Sequence, residues 1–280
     1  MASDVAQREI AFHQLGADRL LEFEEAGFTG PLPVFDADRV AEIRDAVDRI
    51  VADPERFRPA LYEIEAAWTE RPDEVVCHFL GGWRCDPVLR RAVFDLAATV
   101  PCAQVLGVDR LRFWHDQVFY KPARHAGVVP WHQDYSYWQR TAPARHVTLN
   151  VMLDDADEDN GCLMFVPGSH RMGLLPSLPF DSPLETAVEF LDAEQRASFR
   201  PVAVPVPAGH GTLHHSHTLH GSGPNRSERP RRALVLNYMC ADTVVSASDE
   251  PLLAGVPPIP RGARVEGACF PVVLDLRRGA

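Results

Sequence analysis

From about Leu111 to Tyr238 the chain is a succession of short apolar segments cut by proline and glycine, and no other feature limits its fold as strongly. Residues 112–120 are rich in aromatics. In 146–153, Val147, Leu149, Val151 and Leu153 alternate with other residues, so they share one face of an extended strand. Residues 162–166, 202–206, 212–216 and 233–238 continue the rhythm, each bounded by turn-forming residues. Short strands at this spacing, without helices between them, predict a double-sheet β jelly roll and not a βαβ fold.

The first third follows a different period. A helix is expected from about Ala17 to Ala26, stopping at Gly27. Asp36 can cap a second helix, in which Val40, Ile43, Val47 and Ile50 recur at helical spacing. Asp86-Pro87 starts a third, with Val88, Leu89, Val93, Leu96 and Ala97 as its apolar stripe. The expected organisation is one domain over 1–280: a helical part of about 1–105, then a jelly-roll core of about 110–245. Residues 171–200 break the strand rhythm with Leu-Pro-Ser-Leu-Pro and a short helical piece, and read as a lid-like insertion.

A formal net charge of −11 argues against a nucleic-acid partner, which calls for a basic face. No apolar run approaches membrane-spanning length, and Met1 to Phe12 is polar and mixed in charge, so no membrane association and a cytoplasmic location are expected. The six cysteines form no C-x-x-C pair and are expected to be free and mostly buried. Lys121 is the single lysine, set against many arginines. Where a generic cation suffices, arginine has replaced it, which hints that position 121 needs what a planar fork cannot give.

His132-Gln133-Asp134 puts an imidazole and a carboxylate two residues apart, which on a strand is one face. With a distant histidine they would make a two-histidine, one-carboxylate facial triad, leaving open positions on Fe(II) for a chelating cosubstrate and O2. Alone the pattern is weak, because 12 histidines and 39 acids supply such a pair by chance. A second cluster sharpens it. His220-Gly221-Ser222-Gly223-Pro224-Asn225 must turn tightly, and the run 232–238 returns as a strand, bringing an arginine back beside the site. A 2-oxo acid that chelates metal has a far carboxylate, which a guanidinium fork binds and a serine hydroxyl can assist. Spacing alone does not choose among Arg226, Arg229, Arg231 and Arg232.

Four motifs carry a family resemblance: Trp131-His132-Gln133-Asp134-Tyr135-Ser136-Tyr137-Trp138, Asn160-Gly161-Cys162-Leu163, Pro167-Gly168-Ser169-His170, and His220 to Asn225 with Arg231. In this order and at these separations, over roughly 110–240, the chain resembles the phytanoyl-CoA dioxygenase family. The resemblance implies a mainly β fold with flanking helices, built on a double-stranded β-helix (jelly-roll) core with N-terminal helices. It implies Fe(II), with 2-oxoglutarate and O2 as cosubstrates. It carries metal ligation onto His132, Asp134 and His220, and binding of the 2-oxoglutarate carboxylate onto Arg231 and Ser222, leaving Arg226, Arg229 and Arg232 as solvated neighbours. Gln117, Lys121 and Asn150 fall where inward polar side chains can approach the cosubstrate. His170, His214, His215 and His217 are expected to be structural or pocket-lining. The carboxylate at Asp134, where related halogenases keep a small residue, implies an oxygenase outcome.

Trp131, Tyr135, Tyr137 and Trp138, with Phe119, are expected to wall a largely apolar pocket. The expected activity is hydroxylation of an unactivated C–H in a small, fairly hydrophobic biosynthetic metabolite, with release of succinate and CO2, by a monomer or homodimer. Desaturation, epimerisation, cyclisation or endoperoxidation on the same iron, or a non-catalytic metal- and 2-oxoglutarate-binding protein, would read the same way.

Overall fold

The structure is a computed structural model and describes residues 2–279, with side chains from 7 to 277. The larger sheet follows the order Phe28–Pro33, His210–His215, His146–Met152, Arg231–Cys240, Arg110–Lys121, Cys77–Leu80, Glu63–Ile64, and Val272–Asp275 pairs with Arg110–Lys121 off this path. The smaller sheet has the order Val129–His132, His220–Ser222, Leu163–Phe165, Val202–Ala203. The pairings within both sheets are antiparallel, as a jelly roll requires. No helix among the described residues is long and apolar enough to cross a membrane.

The two faces of the larger sheet do different things because side chains alternate along each strand. Val118, Leu149, Val151, Leu213, Leu234, Leu236 and Tyr238 belong to the main apolar core, together with the helical residues Val40, Ile43, Val47, Ile50, Leu89 and Val93. The other face is polar. Its rows follow from register: His214, Thr148, Asn237 and His115 lie opposite one another across four strands. The next row runs Thr212, Asn150, Val235, Gln117, Leu80, Glu63. Further along, Arg231 stands opposite Lys121.

Ala17–Ala26 forms as expected, and Gly27 closes it at φ 83. A side chain there would collide with His170 and Thr218, so glycine is required twice over. Asp36 caps Ala37–Ala52 by accepting from the Arg39 amide. Two expectations are corrected. The stripe from Val88 to Ala97 is not one helix: Pro87–Val93 ends at Phe94, and Asp95 caps a new one, Leu96–Leu106. Nor is the first third purely helical, since Phe28–Pro33, Glu63–Ile64 and Cys77–Leu80 join the larger sheet, as does Val272–Asp275 beyond the expected core. These strands are too short to show a period. All six cysteines are free.

Candidate metal centre and cosubstrate pocket

His132 ends one strand of the smaller sheet and His220 begins its neighbour, and the two are paired in register. Asp134 is not on a strand, as the H-x-D spacing suggested. It has helical φ and ψ and leads into Tyr135–Trp138, and this turn swings its carboxylate back toward both rings. Asp134 Oδ1 lies 3.6 Å from His132 Nε2 and 3.7 Å from His220 Nε2. One ligand atom from each residue falls within 4.8 Å of the others, a spread that suits a single metal ion.

Protonation fits as well. His132 Nδ1 is 2.8 Å from the Pro130 carbonyl and His220 Nδ1 is 2.9 Å from that of Thr218. A carbonyl only accepts, so each Nδ1 carries the proton and each Nε2 lone pair faces the shared point. Burial holds the His220 pKa well below its ordinary value, which keeps the ring neutral. Burial opposes charge on Asp134, but His220, His132 and His214 outweigh it and hold the carboxyl well below its usual range. Its Oδ2 accepts from Thr148 Oγ1 at 2.6 Å and His214 Nε2 at 3.1 Å, leaving Oδ1 free. Neutral imidazoles and an ionised, one-sidedly anchored carboxylate are what a divalent metal needs.

An inner cavity adjoins this centre, lined among others by Gln117, Phe119, Asn150, Leu163 and Arg231. Arg231 is only 1% exposed. Its Nη2 donates to Gly161 O at 2.7 Å and Ser222 Oγ at 3.1 Å, and its Nε has no protein partner. Gly161 can present that carbonyl because it sits at φ 78, and a Cβ there would lie 2.4 Å from Gly223 O. Burial brings the Arg231 pKa down to about 10, still charged at neutral pH.

Lys121 and Ser222 take different places from those expected. Lys121 is fully buried behind Arg231 and does not line the cavity. Its ammonium donates to Ser222 Oγ at 2.7 Å, Ser222 O at 3.3 Å and Gly223 O, three oxygens that a planar guanidinium could not reach together. Ser222 is saturated: its oxygen accepts from both cations and its proton goes to Gly161 O at 2.7 Å. It therefore bridges Lys121 and Arg231 and has no proton left for a ligand. Burial, and then the charge of Arg231, hold the Lys121 pKa well below its ordinary value.

The aromatic expectations divide. Phe119, Tyr137 and Trp138 line an outer cavity that shares His132 and Asp134 with the inner one. Trp131 instead packs under the 171–200 segment with Leu175, Leu178 and Leu191. Tyr135 stacks on His217 and donates from its hydroxyl to Thr141 O, away from either cavity. Trp131 precedes His132 on its strand and so points to the opposite face, whereas Tyr135 is carried away by the helical turn that begins at Asp134. His214 lines the inner cavity, while His170 and His215 pack against each other outside both cavities. Arg226 and Arg229 are exposed, but Arg232 is not a solvated neighbour. It pairs with Asp48 at 2.7 Å and Asp154 at 2.9 Å and lies over Tyr120.

The sequence reading missed the far wall of the outer cavity: Glu63, Glu65, His78, His115 and, from the 171–200 segment, Phe180. None belongs to a motif. Only the register, which sets Glu63 opposite Leu80 and His78 opposite Phe119, brings them to the site. The cavity is thus not simply apolar.

The family profile described as phytanoyl-CoA dioxygenase (PhyH) matches residues 23–233, and the chain belongs to that family. It is an oxidoreductase of the 2-oxoglutarate-dependent dioxygenase class, whose metal is iron. A probable alpha-ketoglutarate-dependent hypophosphite dioxygenase of Stutzerimonas stutzeri is 34% identical over 141 residues, 48% of this chain and about half (47%) of that protein. Ectoine dioxygenase of Bordetella parapertussis is 27% identical over 239 residues, 80% of this chain and 75% of that one. Among solved structures, the carbocyclase SnoK from nogalamycin biosynthesis shares the fold at TM-score 0.74 and 23% identity, covering 92% of this chain and 96% of that one. The epimerase SnoN, in complex with Fe3+, alpha ketoglutarate and nogalamycin RO, aligns at TM-score 0.73 and 22% identity, covering 91% and 97%.

Proposed function

We propose that this chain hydroxylates an unactivated C–H bond of a small organic molecule, using Fe(II) at His132, Asp134 and His220 and 2-oxoglutarate in the inner cavity. One observation carries the reading. Two buried basic side chains, Arg231 and Lys121, stand opposite each other in neighbouring strands, and no carboxylate lies within ion-pair distance of either among the described residues. Burial, and then the charge of Arg231, hold the Lys121 pKa well below its ordinary value, so an ammonium beside the guanidinium is costly. A dianionic ligand with one carboxylate at Arg231 removes that cost, and 2-oxoglutarate is such a ligand.

When bound, the iron supplies the O2 activation that couples loss of CO2 from 2-oxoglutarate to oxidation of the substrate. The rest falls to the protein. Thr148 and His214 anchor Asp134 Oδ2, so Oδ1 turns to the metal. Arg231 fixes the far end of the cosubstrate, with Gln117 and Asn150 beside its chain. Phe119, Val129, Leu163 and Val235 keep the inner cavity dry. The substrate enters the outer cavity, where His132 and Asp134 form the wall nearest its reacting carbon.

Anaerobic titration with Fe(II) and then 2-oxoglutarate tests this. A weak visible charge-transfer band is expected in the wild-type protein and not in Arg231→Ala at the same cosubstrate concentration. No band at saturating 2-oxoglutarate would refute the assignment. Two structural neighbours are named as an epimerase and a carbocyclase, and product mass separates those outcomes from hydroxylation, which adds one oxygen atom.

A further inference from the structure

The chemistry above makes no use of two carboxylates in the outer cavity. Glu63 opens the edge strand Glu63–Ile64 of the larger sheet, and Glu65, just past its end, caps the helix Ala66–Glu70; both line the cavity. Glu63 pairs with Leu80, and the Glu65 amide donates to His78 O, so both side chains fall on the face that holds Leu80, His78, Gln117 and Phe119. No lysine or arginine lines this cavity. Neither glutamate makes an ion pair among the described residues, and the one hydrogen bond between them is from the Ala67 amide to Glu65 Oε1. Glu63 keeps part of its side chain in solvent, and burial of the rest, and then the charge of Glu65, push its pKa up.

A third, independent group points the same way. His78 is 92% buried by its 8% exposure and stacks between Phe119 and Phe180. Its Nε2 lies 2.8 Å from Gln117 Oε1 and so carries the proton. Its Nδ1 is then an acceptor, buried and without a partner. Burial lowers the His78 pKa to about 4, so the ring offers no positive charge to the acids. This end of the cavity thus presents two carboxylates and an imidazole lone pair, all acceptors, beside the aromatic faces of Phe119, Tyr137 and Trp138. An anionic substrate would be repelled by the two carboxylates, and a wholly apolar one would leave His78 Nδ1 without a donor.

We infer that the substrate carries a protonated nitrogen, held at the Glu63–Glu65 edge, while its reacting C–H lies against His132 and Asp134. The inference rests on the oxygenase reading and adds a substrate class to it: an amine or amidine with an apolar body that fills the aromatic wall. The larger sheet then receives opposite charges on one face, the cosubstrate dianion at Arg231 on a central strand and the cation at Glu63 and Glu65 by its edge.

The test uses the anaerobic Fe(II)–2-oxoglutarate complex of the full chain. Cyclohexylammonium, cyclohexanol and cyclohexanecarboxylate are titrated as matched probes, and binding is read from the shift of the visible band. The wild-type protein should bind the ammonium at least about tenfold more tightly than the alcohol. Glu63→Gln with Glu65→Gln keeps the acceptor at the Ala67 amide and should erase that preference, with 2-oxoglutarate affinity unchanged as the check on folding. A normal band with no saturable ammonium binding, with tighter carboxylate binding, or with a preference that survives in the double variant overturns the proposal alone. Absence of the band in wild-type protein overturns the oxygenase reading and this proposal together.

Discussion

Replacing Arg231 by alanine should weaken 2-oxoglutarate binding about ten- to a hundredfold while leaving Fe(II) affinity close to wild type. The magnitude follows from the hydrogen bonds already in place. Nη2 is engaged by Gly161 O and Ser222 Oγ, and only the remainder of the guanidinium faces the inner cavity. What the ligand loses is therefore one charge-assisted contact, about 1.5–3 kcal/mol. Lys121 modulates the outcome. Its pKa is held down first by burial and then by Arg231, so deleting Arg231 lets the ammonium charge more readily. Lys121→Met alone should cost less than Arg231→Ala, because Lys121 does not line the cavity. The double variant should lose more than the two singles combined, because Lys121 matters most once Arg231 is gone. Arg231→Lys should recover part of the loss, since an ammonium cannot hold the Gly161 and Ser222 contacts and the ligand in one plane. Calorimetric or spectral titration of 2-oxoglutarate against the anaerobic Fe(II) protein measures all four. An equal loss of Fe(II) affinity in Arg231→Ala, or a large loss of 2-oxoglutarate affinity in Arg232→Ala with none in Arg231→Ala, would refute the reasoning.

Thr148→Val should weaken Fe(II) binding about tenfold or more, because Asp134 Oδ2 loses its 2.6 Å anchor and the carboxylate is free to turn; Fe(II) titration reads this directly, and wild-type affinity would mean that His214 suffices. Arg232→Ala should lower stability by about 1–2 kcal/mol in urea unfolding with 2-oxoglutarate affinity unchanged, since the side chain serves Asp48, Asp154 and Tyr120. Burial lowers His146 to about 3, and likewise His115 to about 3 and His78 to about 4. The unfolded chain takes up those protons first, so metal-free stability should be full above about pH 6.5 and fall as pH drops toward 4, by up to about 1.4 kcal/mol per unit for each ring; His146→Leu should flatten the slope by one ring's share, and an unchanged slope counts against its buried neutral state. We further propose that the 171–200 segment, which contributes Phe180 to the outer cavity and ties Gly173 and Leu175 to Gln133, opens for substrate; limited proteolysis should cut there first, and more slowly with both cosubstrate and substrate bound.

The candidate metal centre was legible because its residues are few, chemically distinctive and held at fixed separations: His132, Asp134 and His220 can be named from a string, and the structure brings them together. What the string could not carry is depth. Lys121, Ser222 and Arg231 all stood in the expected neighbourhood, yet only three-dimensional packing decides that one faces the ligand while the others steady it from behind. Arg231 and Arg232 are adjacent and identical in type, and strand alternation sends one to the cavity and the other to Asp48 and Asp154 on the opposite face. The same alternation explains why Trp131 missed the pocket beside His132, while Tyr135 missed it because the chain turns helical at Asp134. It also explains why Glu63, Glu65 and His78 were invisible: they lie 69, 67 and 54 positions before His132, and only the order in which strands join the sheet makes them its neighbours. Chemistry that iron imposes on every member of such a family is therefore written in local motifs. Substrate choice is written in whichever residues the register of an edge strand delivers, which is why the acceptor-lined edge is the place where this protein's particular activity should be sought.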